Sequence, residues 1–310
     1  MQPPPKLIAT SVVRGARQGQ SHGGVYLIDF ARREVRQVVD WNTGDIDFTG
    51  RGWDRGLRGI AFFSEEIYIA ASDELFVYDR RFRIQRSFRS RYLKHCHEIS
   101  ARDGRLFLTS TGFDSILLFD LKAQRFSWAL HVSGTEGAWV GRTYDPHGAD
   151  GPPPQNRLHL NNVHADDSGL YFSGMRTRTL LRLRAAERIG THCSLPEGVH
   201  NARPFRDGVL FNDTAADHVR FVGRNGDQVA FRTPHYDPAQ IERAGVDDSR
   251  IARQGFGRGL CGLDDRRIAA CSSPSTVTIY DLEQRSRVAS VNLTMDIRNA
   301  IHGLEVWPWD

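Results

Sequence analysis

The chain has 310 residues, 40% hydrophobic and 25% charged, enough apolar material for a packed core and too much for a disordered protein. A net charge of only +4, with scattered arginines and no basic run interleaved with aromatics, excludes a nucleic-acid surface. The four cysteines form no CxxC pair, and no apolar run is long enough for a signal segment or membrane span, so a reduced, cytoplasmic setting without membrane contact is expected.

Taken in order, Lys6 to Val12, Gly24 to Asp29 and Glu34 to Asp40 read as three strands that lack an innermost partner. Leu57 to Asp79 then sets a pattern: a short apolar segment, a turn, an alternating run, a tight turn, and a second alternating run closing on Asp. Cys96 to Leu121 repeats it most clearly, and Phe126 to Val132 adds a fourth strand. Further copies begin at Asn161, His200 and Leu260. The unit endings Asp29, Asp79, Asp120 and Asp281 fall at one point of the repeat, where a carboxylate can accept N–H groups of the following turn. A recurring four-strand unit predicts an all-β fold, a six-bladed β-propeller.

Ile301 to Trp307 has the pattern of an innermost strand, so the C-terminus is expected to join the N-terminal blade and close the ring, which leaves no sheet edge open. The chain is then a single propeller domain over 1–310, with blades at 301–307 plus 6–40, 57–89, 96–132, 159–195, 199–233 and 259–293. Three long connections, Trp41 to Gly56, Ser133 to Leu158 and Pro234 to Arg258, are expected to roof one face as lids. They carry Trp53, Trp139, Tyr144, His147, His235 and Tyr236.

Aligning the starts of the innermost strands gives one axial position per blade: His302, Arg58, His97, Asn161, His200 and Cys261. Histidines in alternate blades would converge on the axis, and three neutral imidazoles suit a divalent transition metal, Zn or Fe, with an open coordination position. His97, His200 and His302 are therefore the expected metal ligands. Arg58, Asn161 and Cys261 are the catalytic candidates: Arg58 for a substrate carboxylate or phosphate, Asn161 to orient substrate or water, and Cys261 as ligand or nucleophile. Ordinary roles compete: a salt bridge from Arg58 to Glu98, backbone contacts for Asn161, and a buried apolar role for Cys261. His159, His164 and Arg258 are placed as substrate-binding candidates, with His159 on the face of Asn161 and His164 opposite. Glu98 is expected to point into a blade interface and steady a ligand histidine.

On these residues the chain resembles the six-bladed propeller superfamily of gluconolactonase-like lactonases, strictosidine synthase-like enzymes and NHL-repeat proteins. NNVHADDSGLYFSG carries that likeness. HLNN and GVHNARPFRDGVLFND are similar to segments of an uncharacterised family of bacterial propeller proteins. The lactonase resemblance implies an axial divalent metal held by Glu, Asn and Asp, of which only Asn161 has a match. No WD dipeptide pattern of a WD40 scaffold is present.

The first functional expectation is a metal-dependent enzyme acting on a small polar or anionic molecule in the axial pocket, by hydrolysis, elimination or, with iron, oxygen chemistry. The second is a ligand- or partner-binding propeller without chemistry. A hydrolase built on Cys261 without a metal is the third. The expected partner is a small molecule, and a monomer is expected.

Overall fold

The structure is a computed structural model that describes residues 3–42, 56–185, 187–248 and 250–309. Its strands form six antiparallel sheets, and the fold is a six-bladed β-propeller. The sheet orders are β25 (Asn299–Val306), β1 (Leu7–Val13), β2 (Gly24–Asp29), β3 (Glu34–Asp40); β4 (Ile60–Phe63), β5 (Glu66–Ala71), β6 (Glu74–Tyr78), β7 (Ile84–Arg89); β8 (Ile99–Arg102), β9 (Arg105–Ser110), β10 (Ser115–Asp120), β11 (Arg125–Thr135), β12 (Ala138–Tyr144); β13 (Leu160–Asp166), β14 (Gly169–Gly174), β15 (Thr179–Leu183), β16 (Ile189–Ser194); β17 (His200–Phe205), β18 (Gly208–Asp213), β19 (His218–Gly223), β20 (Gln228–Arg232); and β21 (Leu260–Gly262), β22 (Arg267–Ser272), β23 (Thr276–Asp281), β24 (Ser286–Asn292). Burial explains the pattern in the sequence. Second strands such as β5 (Glu66–Ala71) and β22 (Arg267–Ser272) are buried almost throughout and, after a charged first residue, read as apolar or small residues. Outermost strands such as β7 (Ile84–Arg89) are largely exposed, and arginines appear there.

By its internal contacts the chain divides into two compact units, Met1–Arg58 with Pro204–Asp310, and Gly59–Arg203. In the first unit, β25 (Asn299–Val306) pairs antiparallel with β1 (Leu7–Val13), from Leu7 opposite Val306 to Val13 opposite Asn299. The Gly303 N–H donates to Thr10 Oγ1 at 2.9 Å across this pair. The C-terminal segment is thus the innermost strand of the N-terminal sheet, as its pattern suggests. Leu7, Ala9 and Ile28 pack with Val277, Ile279, Ile301 and Leu304 in one apolar core.

In the second unit, β8 (Ile99–Arg102) and β13 (Leu160–Asp166) are the innermost strands of the third and fourth sheets. Gly59, just before β4 (Ile60–Phe63), allows the backbones to approach: a Cβ there would sit 2.6 Å from the Ile99 nitrogen. Ile116, Leu130, Leu160, Phe172 and Leu181 form the core that joins the third and fourth sheets.

The connection from Ser133 to Leu158 differs from the expected lid. β11 (Arg125–Thr135) turns through Glu136 and Gly137 into β12 (Ala138–Tyr144), which pairs with β11 as a fifth strand on the outer edge of its sheet. Gly137 supplies the positive φ, 88°, that this tight turn requires. Trp139 and Tyr144 therefore belong to a strand, and the His147 ring donates to the Phe126 carbonyl at 2.7 Å. The connection from Pro234 to Arg258 is ordered by two 3-10 turns, Pro238–Gln240 and Ala244–Val246, and by a small core of Ile241, Ala252 and Ile297. Residues 43–55 of the remaining connection, with Trp53, lie outside the described residues.

The recurring aspartates act as turn acceptors. Asp29, Asp79, Asp120 and Asp281 each take backbone N–H groups two to four residues on, at 2.8 to 3.0 Å. Bonds from the Ala123 and Lys122 N–H groups hold the Asp120 carboxyl below its ordinary value. Among the described residues no helix is long and apolar enough to cross a membrane.

Candidate functional site

A polar cluster stands at the start of β8 in the second unit. His97 stands two residues before the strand, and its Nδ1 lies 2.7 Å from the His95 carbonyl and 2.9 Å from Thr111 Oγ1. The Thr111 hydroxyl in turn donates to the Leu160 carbonyl, so its oxygen is left to accept. Both partners of Nδ1 are then acceptors, which fixes the proton on Nδ1 and the ring's lone pair on Nε2. The His159 ring packs edge-on against His97 with centroids 5.3 Å apart, and its Nδ1 meets Asn156 Oδ1 at 3.0 Å.

Asp114 positions that second ring. It follows the 3-10 turn Thr111–Phe113 with a left-handed φ of 43° and is almost fully buried. Its carboxylate accepts the backbone N–H groups of Arg157, Leu158 and His159 at 2.6, 3.0 and 3.0 Å. His159 itself takes a positive φ, 55°, ahead of β13, so strand alternation does not govern its direction. Asn161 is the extra residue of a β-bulge: Leu160 opposes Gly174 and Asn162 opposes Ser173. The expected common face for His159 and Asn161 therefore has no basis in alternation. The Asn161 side chain donates to the Val199 carbonyl at 3.1 Å and that of Asn162 to the Ala202 carbonyl at 2.6 Å.

Glu98 follows a different course from the one its sequence neighbours imply. It reaches from the third sheet to β17 (His200–Phe205), where Oε1 accepts from Asn201 Nδ2 at 3.0 Å and Arg203 Nη2 at 3.3 Å. Burial pushes the Glu98 carboxyl up, against the lowering pull of Arg203 and Asn201. His164 stands 3.5 Å from Asp166. Burial and then the Arg203 charge push its imidazole down to about 4, with Asp166 opposing. The Val163 backbone N–H also lowers the Glu98 carboxyl, and the buried acceptors Asn161 Oδ1 and Asn162 Oδ1 have no hydrogen-bond partner among the described residues.

In the first unit the Arg258 guanidinium donates to His302 Nε2 at 2.7 Å and lies 4.6 Å from the Phe256 ring centroid. Arg58 is buried just before the fourth strand, and its carbonyl accepts from Thr10 Oγ1. Cys261, in β21 (Leu260–Gly262), packs in the apolar core with Ala269 and Ile279, the ordinary place of a small buried hydrophobe.

The expected three-histidine centre finds no support in this arrangement. Among the described residues no group of three or more His, Cys, Asp or Glu side chains stands close enough to hold a metal ion. The donor chemistry gives the reason: a guanidinium already uses the His302 Nε2 lone pair, and Glu98 faces the Arg203 cation. Thr111, Asp114, Asn201 and Arg203 take part in these contacts, although the sequence alone does not single them out. A signal exists for two of them, since Thr111 and Asp114 recur three residues apart as Thr214 and Asp217. Thr214 donates to the Gly257 carbonyl at 2.7 Å, so each pair holds the chain that leads into a later innermost strand.

No protein-family model matches the sequence, and no curated protein is similar to it. Solved structures are similar in fold. A protein of unknown function from Bacteroides caccae superposes with a TM-score of 0.59 at 12% identity, over 97% of this chain and 98% of that one. A chain of a nidogen/laminin complex gives 0.57 at 10% identity, over 96% and 97%. A streptogramin B lyase gives 0.51 at 12% identity, over 78% and 84%. At such identities the likeness is one of fold, and the fold is the propeller.

Proposed function

We propose that this protein is an enzyme that moves a proton on a small polar molecule, with His97 as the base. The observation that carries this reading is the tautomer of His97, whose Nδ1 proton is shared by two acceptors, which makes Nε2 the basic nitrogen of the ring. An imidazole fixed in this way needs no reorientation before it takes a proton. His159 at ring contact is the companion group for returning it. Asn161 Oδ1 is a buried acceptor suited to a hydroxyl or N–H group of a substrate. Elimination and hydrolysis both fit this set. A propeller of similar fold is a lyase, which adds analogy of scaffold only.

The test is a turnover screen of the purified protein against small esters, lactones and polar compounds with a leaving group β to an acidic C–H. A hit should lose about 100-fold or more in kcat in His97→Gln at unchanged melting temperature. A hit whose turnover survives that change sinks the reading.

A ligand-binding role without chemistry is the second reading. The Glu98 to Arg203 ion pair favours it, because it cross-links innermost strands and gives a ready-made polar cradle. Saturable thermal stabilisation by a compound that is never turned over would select it.

A further inference from the structure

We propose that the cleft between the third and fourth sheets, at the end of β8 and β13 away from His97, binds a small organic anion with a flat apolar body, such as an aromatic carboxylate. The cleft has a volume of about 450 Å³ and lies wholly within the second unit. That is the size of an ordinary small-molecule pocket.

Its walls follow from strand register. On the third sheet Phe107, Leu118 and Trp128 stand directly opposite one another along β9 (Arg105–Ser110), β10 (Ser115–Asp120) and β11, making one apolar row. On the fourth sheet Ala165, Leu170 and Leu183 make a second row along β13, β14 (Gly169–Gly174) and β15 (Thr179–Leu183). Both rows line the cleft. Deeper along the same strands the sheets meet through Ile116, Leu130, Phe172 and Leu181. At the rim the rows leave a slot between them, lined by an aromatic and aliphatic surface only partly buried. A slot of this shape admits a planar ring.

The charge at the rim selects the head group. Arg102, Arg105 and Arg184 line the cleft together with Asp103 and Asp166. Asp166 accepts from Ser168 Oγ and N–H and from the Gly169 N–H, and Asp103 stands 3.4 Å from Arg102. Arg102 also pairs with Asp167. Arg105 and Arg184 make no ion pair among the described residues, so two guanidinium forks remain for a carboxylate. An apolar body and an anionic head are thus matched by an apolar slot and two arginines at its mouth.

The test uses 2-naphthoate as probe, 2-naphthamide as its neutral counterpart, and calorimetric titration of the full chain. Saturable naphthoate binding is expected, weakened about tenfold or more in the double variant Arg105→Ala/Arg184→Ala, with naphthamide affinity changed less than about twofold. Both arginines are exposed, so the variant should melt as the parent does. Naphthoate should quench tryptophan fluorescence in the parent and lose that quenching in Trp128→Phe. Absence of saturation up to about 1 mM, equal affinity for acid and amide, indifference to the two arginines, or quenching that persists without Trp128 would each overturn the proposal.

Discussion

Asp114 and His159 are 45 residues apart in the chain, and the Asp114 carboxylate accepts the His159 backbone N–H at 3.0 Å. The same group takes the N–H groups of Arg157 and Leu158, so one buried carboxylate shapes the approach to β13. Asp114→Ala removes the acceptor of three N–H groups, the Leu158 one buried and the Arg157 and His159 ones part-buried, and should cost about 3 kcal/mol in stability, since bonds to a charged group contribute about 1.5 to 3 kcal/mol each and water recovers part. Asp114→Asn should recover some of the loss. Denaturant melts of the three proteins check the order, and equal midpoints would contradict the role.

The Glu98 to Arg203 pair, with both side chains largely buried, gives a second prediction. Removing only the carboxylate with Glu98→Ala leaves a buried guanidinium without its counter-charge and should destabilise by about 3 kcal/mol or more. The double variant Glu98→Met/Arg203→Met removes both charges and should regain most of that loss. A double variant less stable than either single one would show that the pair stabilises by more than mutual neutralisation.

His164 makes stability depend on pH. Its pKa falls from the ordinary 6.5 to about 4 in the folded chain. Between those values the unfolded chain holds a proton that the folded chain does not, so acid favours unfolding. The contribution is complete above pH 6.5 and falls away down to about pH 4, by up to roughly 3 kcal/mol at 1.36 kcal/mol per tenfold. Asp166, held below its ordinary value, loses its own contribution at still lower pH. His164→Gln should flatten the melting temperature between pH 7 and 5. An unchanged slope in that variant would show that another group titrates there.

The Arg258 to His302 contact leads to a fourth prediction. With a guanidinium on Nε2, added Zn²⁺ should not stabilise the parent protein, and chelation should leave its melting temperature within about 1 °C. Arg258→Ala uncovers the imidazole and should permit a modest Zn²⁺-dependent rise. A saturable rise of several degrees in the parent would contradict the engagement of His302.

Much of the fold can be read in the sequence because its causes are local. Alternation marks β9 and β10, aspartates mark the turns, and an unpaired innermost pattern at Ile301 anticipates its union with β1. β12 is hidden in the sequence because Gly134 to Gly137 has loop composition, although Ala138 to Tyr144 alternates as an edge strand should. The site was less legible. His97 stands out by position, but the groups that decide its tautomer, His95 and Thr111, matter only through backbone geometry. Glu98 is expected in a blade interface, but its partners, Asn201 and Arg203, come from a sheet two further along the chain, and no local pattern marks them. The lone pair of His302 is claimed by Arg258, 44 residues earlier, and no sequence spacing predicts such a contact.

The pairing of β25 with β1 bears on how the protein is made. Leu7 cannot find Val306 until all the chain between them has been synthesised, so β1 waits for its innermost partner while every intervening strand is made. Until then a nascent β1 presents an open backbone edge, the kind of surface that chaperones shield. The first sheet is therefore where slow maturation and misassembly should concentrate.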